Sequence, residues 1–198
     1  MSHPPLLLAS SSRYRRELLT RFGLPFSSAS PDIDESPFAG ETPETLAVRL
    51  ATSKARALAP SHPKHWIIGS DQVAALPDGT LLSKPENHPN AVRQLTRSSG
   101  QNISFYTGLA LLDADSGSLQ TSCELFAVHF RDLSSDEIEA YLHKEQPYDC
   151  AGSFKMEGLG ITLFRELQGR DPNSLIGLPL IALNEMLMAW GRNPLLEP

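Results

Sequence analysis

Four apolar residues in a row, Leu6-Leu7-Leu8-Ala9, run straight into Ser10-Ser11-Ser12 and then into a stretch with Leu18, Leu19 and Phe22 at helical spacing. Four residues are too few for a core helix, so behind Pro4-Pro5 the run reads as a strand buried on both faces. The serines offer N-cap hydroxyls and Gly23 a helix stop. The same alternation continues. Residues 26–29 are extended, residues 31–37 are rich in turn formers, and Thr42-Pro43-Glu44 opens a helix carrying Leu46, Leu50, Lys54 and Leu58 as far as Pro60. Trp66-Ile67-Ile68 is another buried strand, ending at Gly69-Ser70-Asp71-Gln72, and Pro77-Asp78-Gly79 is a turn.

Pro89 begins a short helix that ends near Ser99-Gly100. Residues 103–112 and 119–130 are rich in β-formers around a turn-like 113–118, which predicts a hairpin. Ser134 and Glu137 match a capping box, a Gly-rich loop and strand follow over 152–164, and a last helix holds Leu180, Leu183, Leu187 and Trp190 before Gly191. Helices between strands predict an α/β fold, and the hairpin makes its twisted central sheet mixed, with helices flanking it. The 198 residues suit a single domain spanning the chain, with room for two lobes.

A net charge of −6 with no block of like charges argues against a nucleic-acid or anionic-membrane binder. No apolar stretch approaches the roughly 18 residues that span a bilayer. Met1 to Ala9 lacks the basic start and long apolar run of a signal peptide, so a cytoplasmic location is expected. Cys123 and Cys150 are too few for a disulfide scaffold and show no metal-ligand spacing, which predicts reduced, partly buried thiols and no zinc site. The six histidines are scattered, and none pairs with a Ser or Cys at a triad spacing.

One element breaks a local rule. The first helix opens with Arg13, Arg15 and Arg16, positive charges at the positive end of the macrodipole. Either these arginines point into water, or a bound polyphosphate resolves the conflict by accepting from the hydroxyls of Ser10 and Ser12, the free N–H groups and the guanidinium forks. No Walker loop is present, and Gly158-Leu159-Gly160 lacks the third glycine of a dinucleotide fingerprint. A triphosphate without those motifs needs a cation. Asp71, behind an apolar strand, and Glu35, in an acidic turn, are the carboxylates placed to hold Mg²⁺ or a similar ion. Asp71 suits a turn or helix cap equally well, and Glu35, Lys54 and Lys84 suit plain solvent exposure.

Together these segments resemble the Maf-like nucleotide pyrophosphatases from about Leu6 to Pro194. The motifs in order are 8–16 (LASSSRYRR), Asp34-Glu35, Lys54-Ala55, Gly69-Ser70-Asp71, Lys84-Pro85, Tyr106-Thr107-Gly108, Ala151-Gly152 and 176–179 (IGLP). Residues 69–73, 150–155 and 169–173 look like the branch that acts on 7-methyl-GTP. The resemblance implies a cleft lined by a mixed sheet, a divalent metal (Mg²⁺, Mn²⁺ or similar), a homodimer, and cleavage between the α and β phosphates of a nucleoside triphosphate. It implies Asp71 as proton acceptor, and the residue pattern then assigns the metal to Asp71 and Glu35 and the phosphates to Ser10, Ser12, Arg15, Arg16, Lys54 and Lys84. Tyr14, Gln72 and Glu157 fall at the family's specificity positions. Two departures stand out: Arg13 replaces a common proline, and Cys150 and Glu157 replace the lysine and glutamine of the dTTP/UTP-cleaving branch. The rival expectations are dTTP/UTP or broad cleavage, and a non-catalytic nucleotide sensor in cell division.

Overall fold

The protein is described by a computed structural model covering residues 3–197; Met1, Ser2 and Pro198 of the expected domain lie outside the described residues. In chain order the elements are β1 (Leu6–Ala9), α1 (Arg13–Thr20), β2 (Phe26–Ala29), α2 (Pro43–Leu58), β3 (Trp66–Ala75), β4 (Leu81–Leu82) and α3 (His88–Ser98). Then come β5 (Asn102–Asp113), β6 (Leu119–Phe130), α4 (Ser135–Glu145), β7 (Phe164–Gly169), α5 (Pro172–Ile176) and α6 (Leu180–Ala189). The strands form one mixed sheet in the order β2-β1-β3-β5-β6-β7, with β4 also on β3. β1 is parallel to β2 and β3, and the pairs from β3 onward are antiparallel. The mixed α/β sheet is therefore as the alternating pattern requires.

Side-chain alternation assigns the faces. Leu6, Leu8, Ile68, Leu109 and Leu111 meet α1 and α6, whereas Leu7, Ile67, Ala110 and Leu112 meet the alanines of α2. Because both faces are covered, the first strands read as unbroken apolar runs. A further cluster at the far end of β5 and β6 gathers Phe105, Phe126, Phe130 and Phe154 with α3 and α4.

Two glycines set how closely α2 lies on the sheet. A Cβ at Gly69 would overlap the Ala51 carbonyl oxygen, and one at Gly108 would overlap that of Ala47. Ala47, Ala51 and Ala55 recur every four residues and are fully buried, so the helix backbone rests almost directly on β3 and β5.

The structure differs from the sequence reading in four places. β3 does not end at Gly69–Gln72 but continues to Ala75, because β5 pairs with it throughout, from Trp66↔Asp113 to Ala75↔Ser104. That ladder overrides the weak strand preference of Gly, Ser and Asp. The expected strand over 152–164 lies later, at Phe164–Gly169, and residues 151–153 and 159–163 form 3₁₀ turns instead. The two-residue strand β4 and the five-residue helix α5 were not foreseen.

Candidate active site

One edge of β3 is left open. β1 pairs with it only as far as Leu8↔Ile68, and β4 takes up the same edge at Ala74↔Leu82. Over that gap sits a cavity of about 940 Å³, with Asp71 and Gln72 in its wall. This is at the upper end of the range of small-molecule pockets.

At its centre the Lys54 ammonium donates to Asp71 Oδ1 at 2.5 Å and lies 2.7 Å from Glu35 Oε1. Lys54 and Asp71 are each only 7% exposed, whereas the Glu35 side chain is open to solvent. The close seating of α2 over Gly69 is what brings a helix lysine to a strand carboxylate. Glu35 arrives on the segment before α2, and Arg49 clamps the chain just beyond it. Its Nε and Nη2 donate to the two oxygens of Glu41 at 2.6 and 2.8 Å, Nη2 also donates to the Ser36 carbonyl, and the guanidinium stacks on Phe38. Arg49 in turn holds the Glu41 carboxyl down at about 2.

Two carboxylates converging on one ammonium form a hard-oxygen donor set that suits a divalent ion. The Lys54 ammonium stands where that positive charge is needed. Asp71 and Glu35 are thus the residues that could hold the cation that the resemblance implies.

The β1–α1 turn supplies the next wall. Ser12 caps α1, its Oγ accepting from Arg15 N, and Ser10 Oγ accepts from Ser12 N at 3.1 Å. Arg15 is fixed by donating from Nε to the Gly177 carbonyl at 2.7 Å, an oxygen that also accepts from Ser70 Oγ at 2.9 Å. Burial pulls the Arg15 pKa below that of a free guanidinium, against the attraction of Asp71 and Glu35. Gly177 has φ +121°, a left-handed conformation that suits glycine, and a Cβ there would meet Arg15 Nε at 3.3 Å.

Of the residues singled out from sequence, Ser10, Ser12, Tyr14, Arg15, Glu35 and Lys54 line this one cavity. So do Asp71, Gln72, Lys84 and Glu157. Arg16 does not: it is exposed and lies off the cavity, because consecutive helical residues point about 100° apart and Arg15 already faces inward. Gln72 has an added task, since its amide donates to the Ser174 and Leu175 carbonyls and to Thr107 Oγ1, tying α5 to the sheet. Tyr14 is half-buried, with the Arg13 guanidinium 4.8 Å over its ring. Glu157 and Lys84 are exposed at the cavity wall. Cys150 also lines it, but burial pushes its thiol up to about 12. Lys155 was not singled out as a candidate; it reaches the cavity with its ammonium donating to the Glu145 carbonyl at 3.2 Å. Its only signal in the sequence was membership of the 150–155 motif.

Residues 5–190 match the family model described as Maf-like protein. The chain belongs to the Maf-like family. A Maf-like relative from Pseudomonas savastanoi pv. phaseolicola, named 7-methyl-GTP pyrophosphatase, is 59% identical over 188 residues, covering 95% of this chain and 97% of its own. A second, of the same name, from Pseudomonas aeruginosa, is 57% identical with the same coverage. Among solved structures, the Staphylococcus aureus Ham1 protein gives a TM-score of 0.44 at 13% identity, over 65% of this chain and 72% of its own, too slight a likeness to bear on the site.

Proposed function

We propose that this Maf-like protein hydrolyses 7-methyl-GTP to 7-methyl-GMP and pyrophosphate. The observation that carries the reading is the near-full-length identity of 59% and 57% to two proteins bearing that activity in their names. The cavity supports it with a buried Asp71–Lys54 pair, Glu35 beside it and cationic groups around it.

In this reading a water attacks the α-phosphorus, a new P–O bond forms, and the α,β bridging oxygen leaves with pyrophosphate. Asp71 takes the water's proton. Its Oδ1 is engaged by Lys54, which leaves Oδ2 for that role. Arg15, Lys54 and Lys84 neutralise charge on the phosphate oxygens, and Ser10 and Ser12 retain hydroxyl hydrogens to donate. A divalent cation held by Asp71 and Glu35 would offset the triphosphate charge. Glu157 accepts from N1–H and the 2-amino group of guanine, and its negative charge suits a ring made cationic by N7 methylation. Arg13 covers one face of Tyr14, leaving a single face of that ring for a base. A homodimer and a cytoplasmic location complete the proposal; among the described residues no helix is long and apolar enough to cross a membrane.

The test is pyrophosphate release with Mg²⁺ or Mn²⁺ across 7-methyl-GTP, GTP, dTTP, UTP and ITP. Chelator-sensitive preference for 7-methyl-GTP, reduced on the order of 10²–10⁴-fold in folded Asp71→Asn, is the expected outcome. Preference for pyrimidines would discard the base assignment and keep the reaction. No turnover of any triphosphate by folded protein would leave the nucleotide-sensor reading.

A further inference from the structure

Away from the cavity, the fold gathers three metal-ligating side chains that the sequence keeps far apart. His88 opens α3, while Glu139 and His143 lie four residues apart on one face of α4. One donor atom from each lies within 4.8 Å of the others. His88 Nε2 is 2.7 Å from Glu139 Oε2, and His143 Nε2 is 3.7 Å from the same oxygen. The two imidazoles stack at 5.1 Å between centroids and 27° between planes, presenting both Nε2 atoms to one carboxylate. The remaining nitrogen of His88, Nδ1, is 2.9 Å from Tyr148 Oη.

Of the two imidazoles, only that of His88 is within hydrogen-bond distance of the Glu139 carboxylate, and the second at 3.7 Å is too far. The gap between the three atoms suits a cation. Metal–nitrogen and metal–oxygen bonds of about 2.0–2.2 Å put neighbouring tetrahedral ligands roughly 3.3–3.5 Å apart, between the two distances seen here. Closing the site needs His88 to back away by roughly 0.6–0.8 Å and the exposed His143 to swing in. The Tyr148 hydroxyl on His88 Nδ1 is the kind of outer contact that orients a ligating imidazole. Two imidazoles and one carboxylate favour zinc, nickel, copper or cobalt over magnesium and calcium.

We propose that His88, Glu139 and His143 bind one divalent transition-metal ion, with water completing the coordination, and that the ion staples α4 to the start of α3. None of the three lines the cavity, so the site is separate from the proposed active centre and does not depend on it. The staple bears on the cleft indirectly. The Tyr148 carbonyl accepts from Glu86 N at 3.0 Å, on the segment that carries Lys84 to the cavity.

The experiment takes the full chain stripped with EDTA and titrates Zn²⁺ alone while following thermal unfolding. At a hundredfold excess over Kd, Tm should rise by on the order of 5 °C or more, and in Asp71→Asn, which lacks the cation ligand proposed in the cavity, Mg²⁺ at equal concentration should give no such rise. Co²⁺ should give the intense visible band of a tetrahedral site with one equivalent bound. His143→Ala and Glu139→Gln should lose both signals while keeping the unfolding temperature of the metal-free protein, since the His143 side chain is 75% exposed. Asp71→Asn should keep both signals. No Tm rise with Zn²⁺ in Asp71→Asn, or a rise in that background that survives His143→Ala as an adventitious ion would, overturns the proposal.

Discussion

Lys54→Met removes one positive charge from a point where two negative ones converge, at nearly unchanged side-chain volume. Glu35 can recover its hydration because its side chain is 58% exposed, but Asp71, at 7%, cannot. Removing one partner of a buried ion pair costs about 3–5 kcal/mol, because the other is left charged and dry. Arg15 remains close enough to attract Asp71, and the cavity admits some water, so the lower end, about 3 kcal/mol, is expected. With a urea slope of about 2–3 kcal/mol/M, the unfolding midpoint should fall by roughly 1–1.5 M. The decisive assay is a double-mutant cycle. Asp71→Asn in the Lys54→Met background removes the stranded charge, so the double variant should be more stable than the single by at least about 1 kcal/mol. A Lys54→Met loss under about 1 kcal/mol, or strict additivity in the cycle, would refute the view that these groups form a desolvated pair.

Three further outcomes are expected. Glu157→Gln should narrow the preference for 7-methyl-GTP over GTP, read as the ratio of their kcat/KM values; an unchanged ratio removes Glu157 from base recognition. Burial pushes the Cys123 and Cys150 thiols up to about 12, which favours the protonated form. At pH 8 both should therefore alkylate with iodoacetamide on the order of 10³-fold more slowly than a free cysteine, gaining about tenfold per pH unit up to pH 11 while the free thiol levels off near 9. Rapid labelling at pH 8 would contradict this. Gly69→Ala drives a methyl into the Ala51 carbonyl, a backbone atom that cannot rotate away. Overpacking of about 2–3 kcal/mol should lower Tm by roughly 5–10 °C and also reduce turnover as Lys54 shifts from Asp71, whereas wild-type stability would show that α2 can slide freely.

Elements with strong local chemistry were legible in the sequence. The Ser134–Glu137 capping box is present with both bonds, Thr42-Pro43 does start α2, and the β5–β6 hairpin falls within a residue of its expected limits. What was not legible depends on partners remote in sequence. Nothing in Gly69-Ser70-Asp71-Gln72 announces a strand, and only the full-length ladder from β5 makes it one. Arg16 was grouped with Arg15 by composition, although helical geometry separates adjacent side chains, and only the inward one meets the Gly177 carbonyl. The histidines looked scattered because the pairing of His88 with His143 exists only where α3 meets α4.

The mid-strand position of Asp71 changes how its neighbours work. Successive residues of β3 alternate faces, so Asp71 turns to Lys54 on α2 while Ser70 and Gln72 turn to the chain around α5. Ser70 Oγ donates to the same Gly177 carbonyl that accepts from Arg15, and Gln72 donates to the Ser174 and Leu175 carbonyls. One three-residue run thus presents a carboxylate on one face and anchors, on the other, the loop that aims an arginine into the same cavity. Any influence of Gln72 on substrate choice would then run through the position of α5 and Arg15 rather than through its amide alone. Gln72→Ala should accordingly weaken every triphosphate in the panel alike through loss of Arg15 alignment. A change confined to one base would instead place the amide against the nucleobase.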